Sequence, residues 1–206
     1  MGDKWTLLIV RDLLSGPRRF VELQRVLPGI STEQLRSRLN RMVADEMLTR
    51  KRYREVPPRV DYELTERSRR LAPVLGELAR WGYDWAWSAP RSSERVDIGA
   101  IFRLIPGLGD SFTGADGVVS LTVLDGRAGG PLVCRATLAP TGARITESSD
   151  EPVDAELSGT TADWVRALAP EGDRNALTVE GDARLASSLL DLVALGSGAA
   201  RTPPGD

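Results

Sequence analysis

Leu27-Pro28-Gly29-Ile30-Ser31-Thr32-Glu33-Gln34-Leu35-Arg36-Ser37-Arg38-Leu39-Asn40-Arg41-Met42-Val43 decides the fold of the first half of this 206-residue chain. Pro28-Gly29 makes a turn. Ser31-Thr32-Glu33-Gln34 then fits a capping box: Ser31 caps the helix start and Gln34 reaches back to it. Leu35, Leu39, Met42 and Val43 follow at spacings of 4, 3 and 1, which places them on one inward stripe. The opposite face carries Glu33, Arg36, Ser37, Asn40 and Arg41.

Working upstream, Trp5 to Leu14 is apolar nearly all round and predicts a buried helix stopped by Ser15-Gly16-Pro17. Arg18 to Leu27 predicts a second short helix with Phe20, Leu23, Val26 and Leu27 on one face. Downstream, Leu48 to Val56 and Val60 to Leu64 read as two strands of a hairpin whose tip is Pro57-Pro58-Arg59. Thr65 caps a long helix running to about Trp87, with Leu71, Val74, Leu75, Leu78, Trp81 and Trp85 as its apolar stripe. Pro73 falls inside that span, where it is expected to kink the helix or remove a backbone bond.

The order helix, helix, turn, helix, hairpin, helix is that of a winged helix-turn-helix, whose third helix enters the DNA major groove. Such a helix needs one apolar side and one side bearing hydrogen-bonding groups. On this reading Arg36 reaches guanine bidentately, and Asn40 or Gln34 reads adenine. Ser31, Thr32, Ser37 and Arg41 share the exposed side. Arg18 and Arg19 at the second helix and Arg54 and Arg59 on the wing are candidates for phosphate contacts, which set register and salt dependence but not sequence.

The motifs resemble the HxlR family of bacterial regulators. The likeness is carried by Gly2-Asp3-Lys4-Trp5-Thr6-Leu7-Leu8-Ile9, Gly16-Pro17-Arg18-Arg19-Phe20-Val21-Glu22-Leu23, Leu27-Pro28-Gly29-Ile30-Ser31, Glu55-Val56-Pro57-Pro58-Arg59-Val60-Asp61-Tyr62-Glu63-Leu64-Thr65 and Leu71-Ala72-Pro73-Val74-Leu75. It runs through most of residues 2–85. It implies a homodimeric winged-helix protein that binds double-stranded operator DNA with one recognition helix per half-site. Pro73 belongs to that pattern. The family usually carries a further helix, often with a cysteine, ahead of the Gly-x-Lys-Trp stretch at which this sequence opens, and redox sensing through that cysteine does not carry over.

Composition narrows the remaining classes. There is no histidine and a single cysteine, Cys134, which removes the Ser-His-Asp and Cys-His arrangements, an internal disulfide and the usual zinc sites. No catalytic residue, cofactor or metal is expected, and Cys134 reads as a buried apolar residue in a strand. No run of eighteen apolar residues and no signal-peptide pattern is present, so a cytoplasmic protein with no membrane partner is expected. Residues 1–90 hold 17 Lys/Arg against 12 Asp/Glu, and residues 91–206 hold 10 against 17. A basic half followed by an acidic half suggests two domains with different partners.

The chain therefore reads as multidomain. Residues 1–88 form the winged helix-turn-helix, mostly α with a β-hairpin wing; residues 89–95 are a linker, 96–195 a second domain and 196–206 a Gly/Ala/Pro-rich tail expected to be disordered. In the second domain Val118 to Asp125, Leu132 to Leu138, Ala143 to Glu147, Ala155 to Ser158 and Ala176 to Glu180 predict strands, and Thr160 to Leu168 and the segment from Asp182 predict helices. Strands, a helix bearing Trp164, then Leu177-Thr178-Val179-Glu180-Gly181-Asp182 and a leucine-rich helix resemble a sterol-carrier-protein-like domain over roughly Val96 to Leu195. That resemblance implies an α+β fold with an apolar tunnel and a small apolar ligand that modulates DNA affinity. Its candidate lining is Phe102, Leu104, Phe112, Val119, Leu121, Val133, Trp164, Leu168, Leu189 and Leu192. The alternative is a carrier of apolar molecules whose N-terminal half serves mainly dimerisation, and an enzyme is a third class that the composition disfavours.

Overall fold

Ser31 caps its helix as the sequence implies, and the rest of the N-terminal half assembles around that helix. The structure, a computed structural model, describes residues 4–54, 59–91, 94–108, 116–127, 130–147, 152–170 and 172–194. The first half runs α1 (Lys4–Leu13), β1 (Arg18–Arg19), α2 (Phe20–Val26), α3 (Thr32–Ala44), β2 (Leu48–Tyr53), β3 (Arg59–Leu64), α4 (Glu66–Arg69) and α5 (Ala72–Ala86). Gly16, at φ +126°, turns the chain out of α1 in a conformation that a side chain would strain. Ile9, Val10 and Leu13 of α1, Leu23 of α2 and Leu35, Leu39 and Met42 of α3 meet in one core, closed by Leu48, Tyr62 and Leu64 of the wing. The stripe spaced for a helix is thus the stripe that is buried.

Two local expectations are corrected. Arg18 and Arg19 are extended and pair with the wing, Arg18 opposite Tyr62 and Arg19 opposite Asp61, so the second helix begins at Phe20. The sheet order is β1-β3-β2, and the third strand gives this backbone partners that a helix start would leave open. The long helix from Thr65 is two helices. Thr65 caps α4, and a second helix starts at Ala72 with Pro73 in its first turn. There the missing proline N–H has no helical partner to lose, so the residue starts a helix instead of kinking one. The wing tip at residues 55–58 and the tail from residue 195 lie outside the described residues.

The second half is α+β. It runs α6 (Ile98–Phe102), α7 (Ile105–Leu108), β4 (Gly117–Arg127), β5 (Gly130–Ala139), β6 (Gly142–Glu147), β7 (Ala155–Gly159), α8 (Thr161–Leu168), a 3-10 turn at Arg174–Ala176, β8 (Thr178–Gly181) and α9 (Ala183–Val193). The sheet order is β6-β5-β4-β7-β8, with β4 and β7 parallel and the other neighbours antiparallel. Val119, Leu121 and Val123 on β4, Leu132, Cys134, Ala136 and Leu138 on β5 and Ala155 and Leu157 on β7 alternate onto one buried face. Alternation of this kind places every second residue of each strand on the same face of the sheet. The short helices α6 and α7 are an addition to the sequence reading. Asp97 caps α6 by accepting from the Ala100 N–H at 3.2 Å.

Trp164 anchors the second core. Its ring edge meets Phe102 with centroids 4.8 Å apart and planes at 74°, and its Nε1–H donates to the Thr122 carbonyl at 3.0 Å. Of the residues expected to line a tunnel, Phe102, Val119, Leu121, Trp164, Leu168 and Leu189 are buried against one another in this core, with Leu192 partly buried beside it. Val133 alternates to the other side of β5 and is half-buried. Leu104 packs against the N-terminal core instead, and Phe112 lies outside the described residues. The expectation is therefore corrected at Leu104 and Val133, neither of which faces the core that holds the others. Among the described residues no helix is long and apolar enough to cross a membrane.

Candidate nucleic-acid interface

The reciprocal cap of α3 is in place: the Gln34 N–H donates to Ser31 Oγ at 3.1 Å, and the Ser31 N–H donates to Gln34 Oε1 at 3.2 Å. The Gln34 amide oxygen is thereby turned toward the helix start. Thr32 Oγ1 accepts from Gln24 Nε2 at 2.6 Å, which ties the first turn of α3 to α2. With Leu35, Leu39 and Met42 buried, helix geometry leaves Arg36, Ser37, Asn40 and Arg41 exposed on the outer side. At 1.5 Å per residue the 13 residues of α3 extend about 20 Å, enough to lie along a major groove.

The cations on this face are weakly engaged. Arg36 Nη1 is 3.4 Å from Glu33 Oε2 and Arg41 Nε is 3.3 Å from Asp45 Oδ2, with all four side chains more than half exposed. Exposed pairs of this type contribute about 0–1 kcal/mol, so an incoming phosphate or base edge displaces them at small cost.

Between α3 and the wing lies a groove of about 290 Å³ lined by Phe20, Arg36, Asn40, Arg50, Val60 and Tyr62. Arg50 pairs with Tyr62 and Arg52 with Val60 across the hairpin. Period-two alternation therefore puts both arginines on the groove side of β2. The sequence reading missed them because it used residues 48–56 only as evidence of a strand. Counting alternate positions outward from buried Leu48 would have found them.

The remaining candidates divide. Arg19 is half-exposed, its N–H donates to Glu22 Oε2 at 2.7 Å and its Nε is 4.0 Å from Asp61 Oδ1. Arg54 is exposed just beyond β2. Arg59 lies over the Tyr53 ring at 5.4 Å, and its Nε donates to both oxygens of buried Asp61 at 2.9 Å, so one edge of its guanidinium is committed to the wing. Arg18 is corrected. It is buried and turned inward, with Nε donating to the Asp12 carbonyl at 2.7 Å and Nη2 to Ser15 Oγ at 3.2 Å and to Glu147. Desolvating a guanidinium requires such partners, and they leave Arg18 off the outer face. Among the described residues no group of three His, Cys, Asp or Glu is placed to hold a metal ion.

Residues 1–89 match the family described as HxlR-like helix-turn-helix. An HTH-type transcriptional regulator of Synechocystis is 41% identical over 85 residues, a match covering 41% of this chain and 63% of that protein. The HTH-type transcriptional regulator YkvN of Bacillus subtilis is 40% identical over 82 residues, covering 40% of this chain and 70% of that protein. Among solved structures, the reduced form of the transcriptional regulator YodB from B. subtilis is 34% identical with a TM-score of 0.38, covering 41% of this chain and 82% of that one. The chain thus spans less than two thirds of the Synechocystis relative.

Proposed function

The chain belongs to the HxlR-like helix-turn-helix family, and from that premise we propose that it is a bacterial DNA-binding transcription regulator acting as a homodimer on a double-stranded operator. The observation that carries this reading is the outer face of α3. Arg36, Ser37, Asn40 and Arg41 are exposed along it, and it continues through the groove to Arg50 and Arg52 on the wing. In this docking α3 reads base edges, while Arg19, Arg50, Arg52, Arg54 and Arg59 meet phosphates.

Two substitutions separate those roles. Arg36→Ala is expected to weaken selective binding by about 1–3 kcal/mol and to relax one base position. Arg50→Ala is expected to weaken all sequences alike and to flatten the salt dependence by about one unit of slope. Titration of both variants on matched and mismatched fragments reads the difference. Unchanged affinity in both would remove α3 and the wing from the interface.

The homodimer part of the proposal rests on α5. Val74, Leu78, Trp81 and Trp85 recur at helical spacing on one face, and the two tryptophans are each 62% exposed. The sequence stripe therefore splits: Leu75 is buried within the chain, and this row faces outward. A contiguous apolar patch of that kind marks an association surface, here for a second copy in a two-fold arrangement that sets half-sites about 34–36 Å apart. The double variant Trp81→Lys/Trp85→Lys is expected to sediment as a monomer and to lose operator affinity. A dimer that survives both changes places the interface elsewhere.

Modulation by an apolar ligand is the finer part of the reading, on the sterol-carrier-like order of strands and helices. Because Trp164, Leu168 and Leu189 are closely packed, such a ligand must displace them to enter. A thermal-shift screen of fatty, terpenoid and polyketide compounds tests it. A ligand at 100 times its Kd stabilises by about 2.7 kcal/mol, and a screen in which no compound raises the Tm removes this part.

A further inference from the structure

Among the described residues, two close contacts between the halves stand out, and neither resembles a loose linker. In the first, α5 and α7 touch backbone to backbone. A Cβ built on Gly76 meets the Gly107 carbonyl oxygen at 2.1 Å, and one built on Gly107 meets the Ala72 carbonyl oxygen at 2.0 Å. Arg80 Nη2 donates to the Leu108 carbonyl at 2.8 Å beside them, and Leu104 inserts into the N-terminal core. Only glycine permits this approach on both sides.

The second contact is ionic and buried. Asp12 closes α1 with no exposed surface, and Arg103, at the end of α6, is 2% exposed. Arg103 Nη1 donates to Asp12 Oδ1 at 3.1 Å and to Asp97 Oδ2 at 3.2 Å, and its Nε donates to Glu147 Oε1 at 3.0 Å. Glu147, the last residue of β6, also accepts from Arg18. Arg11 Nη2 completes the set on Asp12 Oδ2 at 2.9 Å. The winged-helix half contributes Arg11, Asp12 and Arg18, and the second half contributes Asp97, Arg103 and Glu147. Formal charge balances at three against three. Burial is the largest influence on Asp12 and pushes its carboxyl up from the ordinary range, with Arg11, Arg103 and Arg18 pulling it back only in part. A cluster of this kind is a poor source of net stability and a strict fixer of geometry, because any slip strands a desolvated charge.

What it fixes is the root of the reading head. Arg18 is β1; it pairs with Tyr62 of the wing and stands two residues before α2. We infer that the C-terminal half sets the shape of the helix-turn-helix and wing through this clamp, with Glu147 of β6 and Arg103, the residue that ends α6 as its C-cap, gripping the Asp12–Arg18 elbow. A change in the second domain that moves the end of β6 is then transmitted to α2 and β3 without any contact to DNA. The transmission is a property of the clamp alone; its effect on operator affinity rests on the function proposed above.

The test uses the full chain with Glu147→Gln, which keeps the shape and removes the charge, and Glu147→Lys, which opposes both arginines. Amide hydrogen exchange without DNA is compared with the wild type, and affinity for upstream DNA is titrated in parallel. Expected is faster exchange, by about tenfold, confined to β1, α2 and β3, with α8 and α9 unchanged, and weaker DNA binding in the same order, Gln then Lys. Unaltered exchange in both variants, or an increase spread evenly over both halves, overturns the clamp. Should exchange respond as expected while even the wild type fails to bind DNA selectively, the clamp stands and the proposed function falls.

Discussion

Arg103→Met is expected to lower the free energy of unfolding by about 3–5 kcal/mol at neutral pH, the usual cost of removing one partner from a buried ion pair. Arg103 faces three carboxylates, and Asp12, with no exposed surface, depends on it directly. Without it Asp12 keeps Arg11 and the more distant Arg18. Its carboxyl, already pushed up by burial, rises further. The pH dependence follows from that sign. The folded variant binds a proton at a pH where the unfolded chain, near the ordinary aspartate value of 3.8, does not. Stability relative to wild type therefore recovers as the pH falls from neutral toward that value. Denaturant titrations at pH 7 and pH 5 read both quantities. Adding Asp12→Asn to Arg103→Met is expected to restore much of the loss at pH 7. A single variant within about 1 kcal/mol of wild type at pH 7 would mean that water or another group compensates Asp12, against the buried cluster described.

Trp164→Ala carries the other large effect, a destabilisation of about 3–5 kcal/mol from the lost ring and the cavity it leaves. Phe102 loses its edge-to-face partner, and the Thr122 carbonyl loses the donor that Trp164 Nε1 supplies inside the core. This measurement also bears on the ligand question. A tryptophan walling an open tunnel already lacks neighbours on one side, so its removal costs less and chiefly changes ligand response. A loss under about 1.5 kcal/mol would favour the tunnel over the packed core.

The parts legible in the sequence were those whose causes are local. The capping box of Ser31 and Gln34, the stripe Leu35, Leu39, Met42 and the strand from Leu132 to Leu138 each follow from local sequence, and each is found where the sequence puts it. The misses have distant causes. Spacing alone does not turn Arg18 inward: its near partners, the Asp12 carbonyl and Ser15 Oγ, are uncharged, and the carboxylate that balances it, Glu147, is 129 positions away. Arg103 likewise owes its burial to Asp12 and Glu147, 91 and 44 positions away. The helices α6 and α7 are too short to show a period, and their placement comes from Gly76 and Gly107 allowing two backbones to touch. Pro73 looks like a kink in the sequence because the break at Arg70-Leu71 is set where α4 closes under the wing. The Thr65 hydroxyl donates to the Glu46 carbonyl there, an interaction across 19 residues.

Selective DNA binding by the outer face of α3 and the wing is what the proposed function depends on. The most direct test is a gel shift of the full chain on DNA from its own upstream region at 50 mM and 200 mM salt. Expected is a selective complex whose affinity falls with salt, by about 10³–10⁵ if six to ten phosphates are neutralised. Equal affinity for an unrelated fragment of the same length, or a selective complex indifferent to salt, would contradict it.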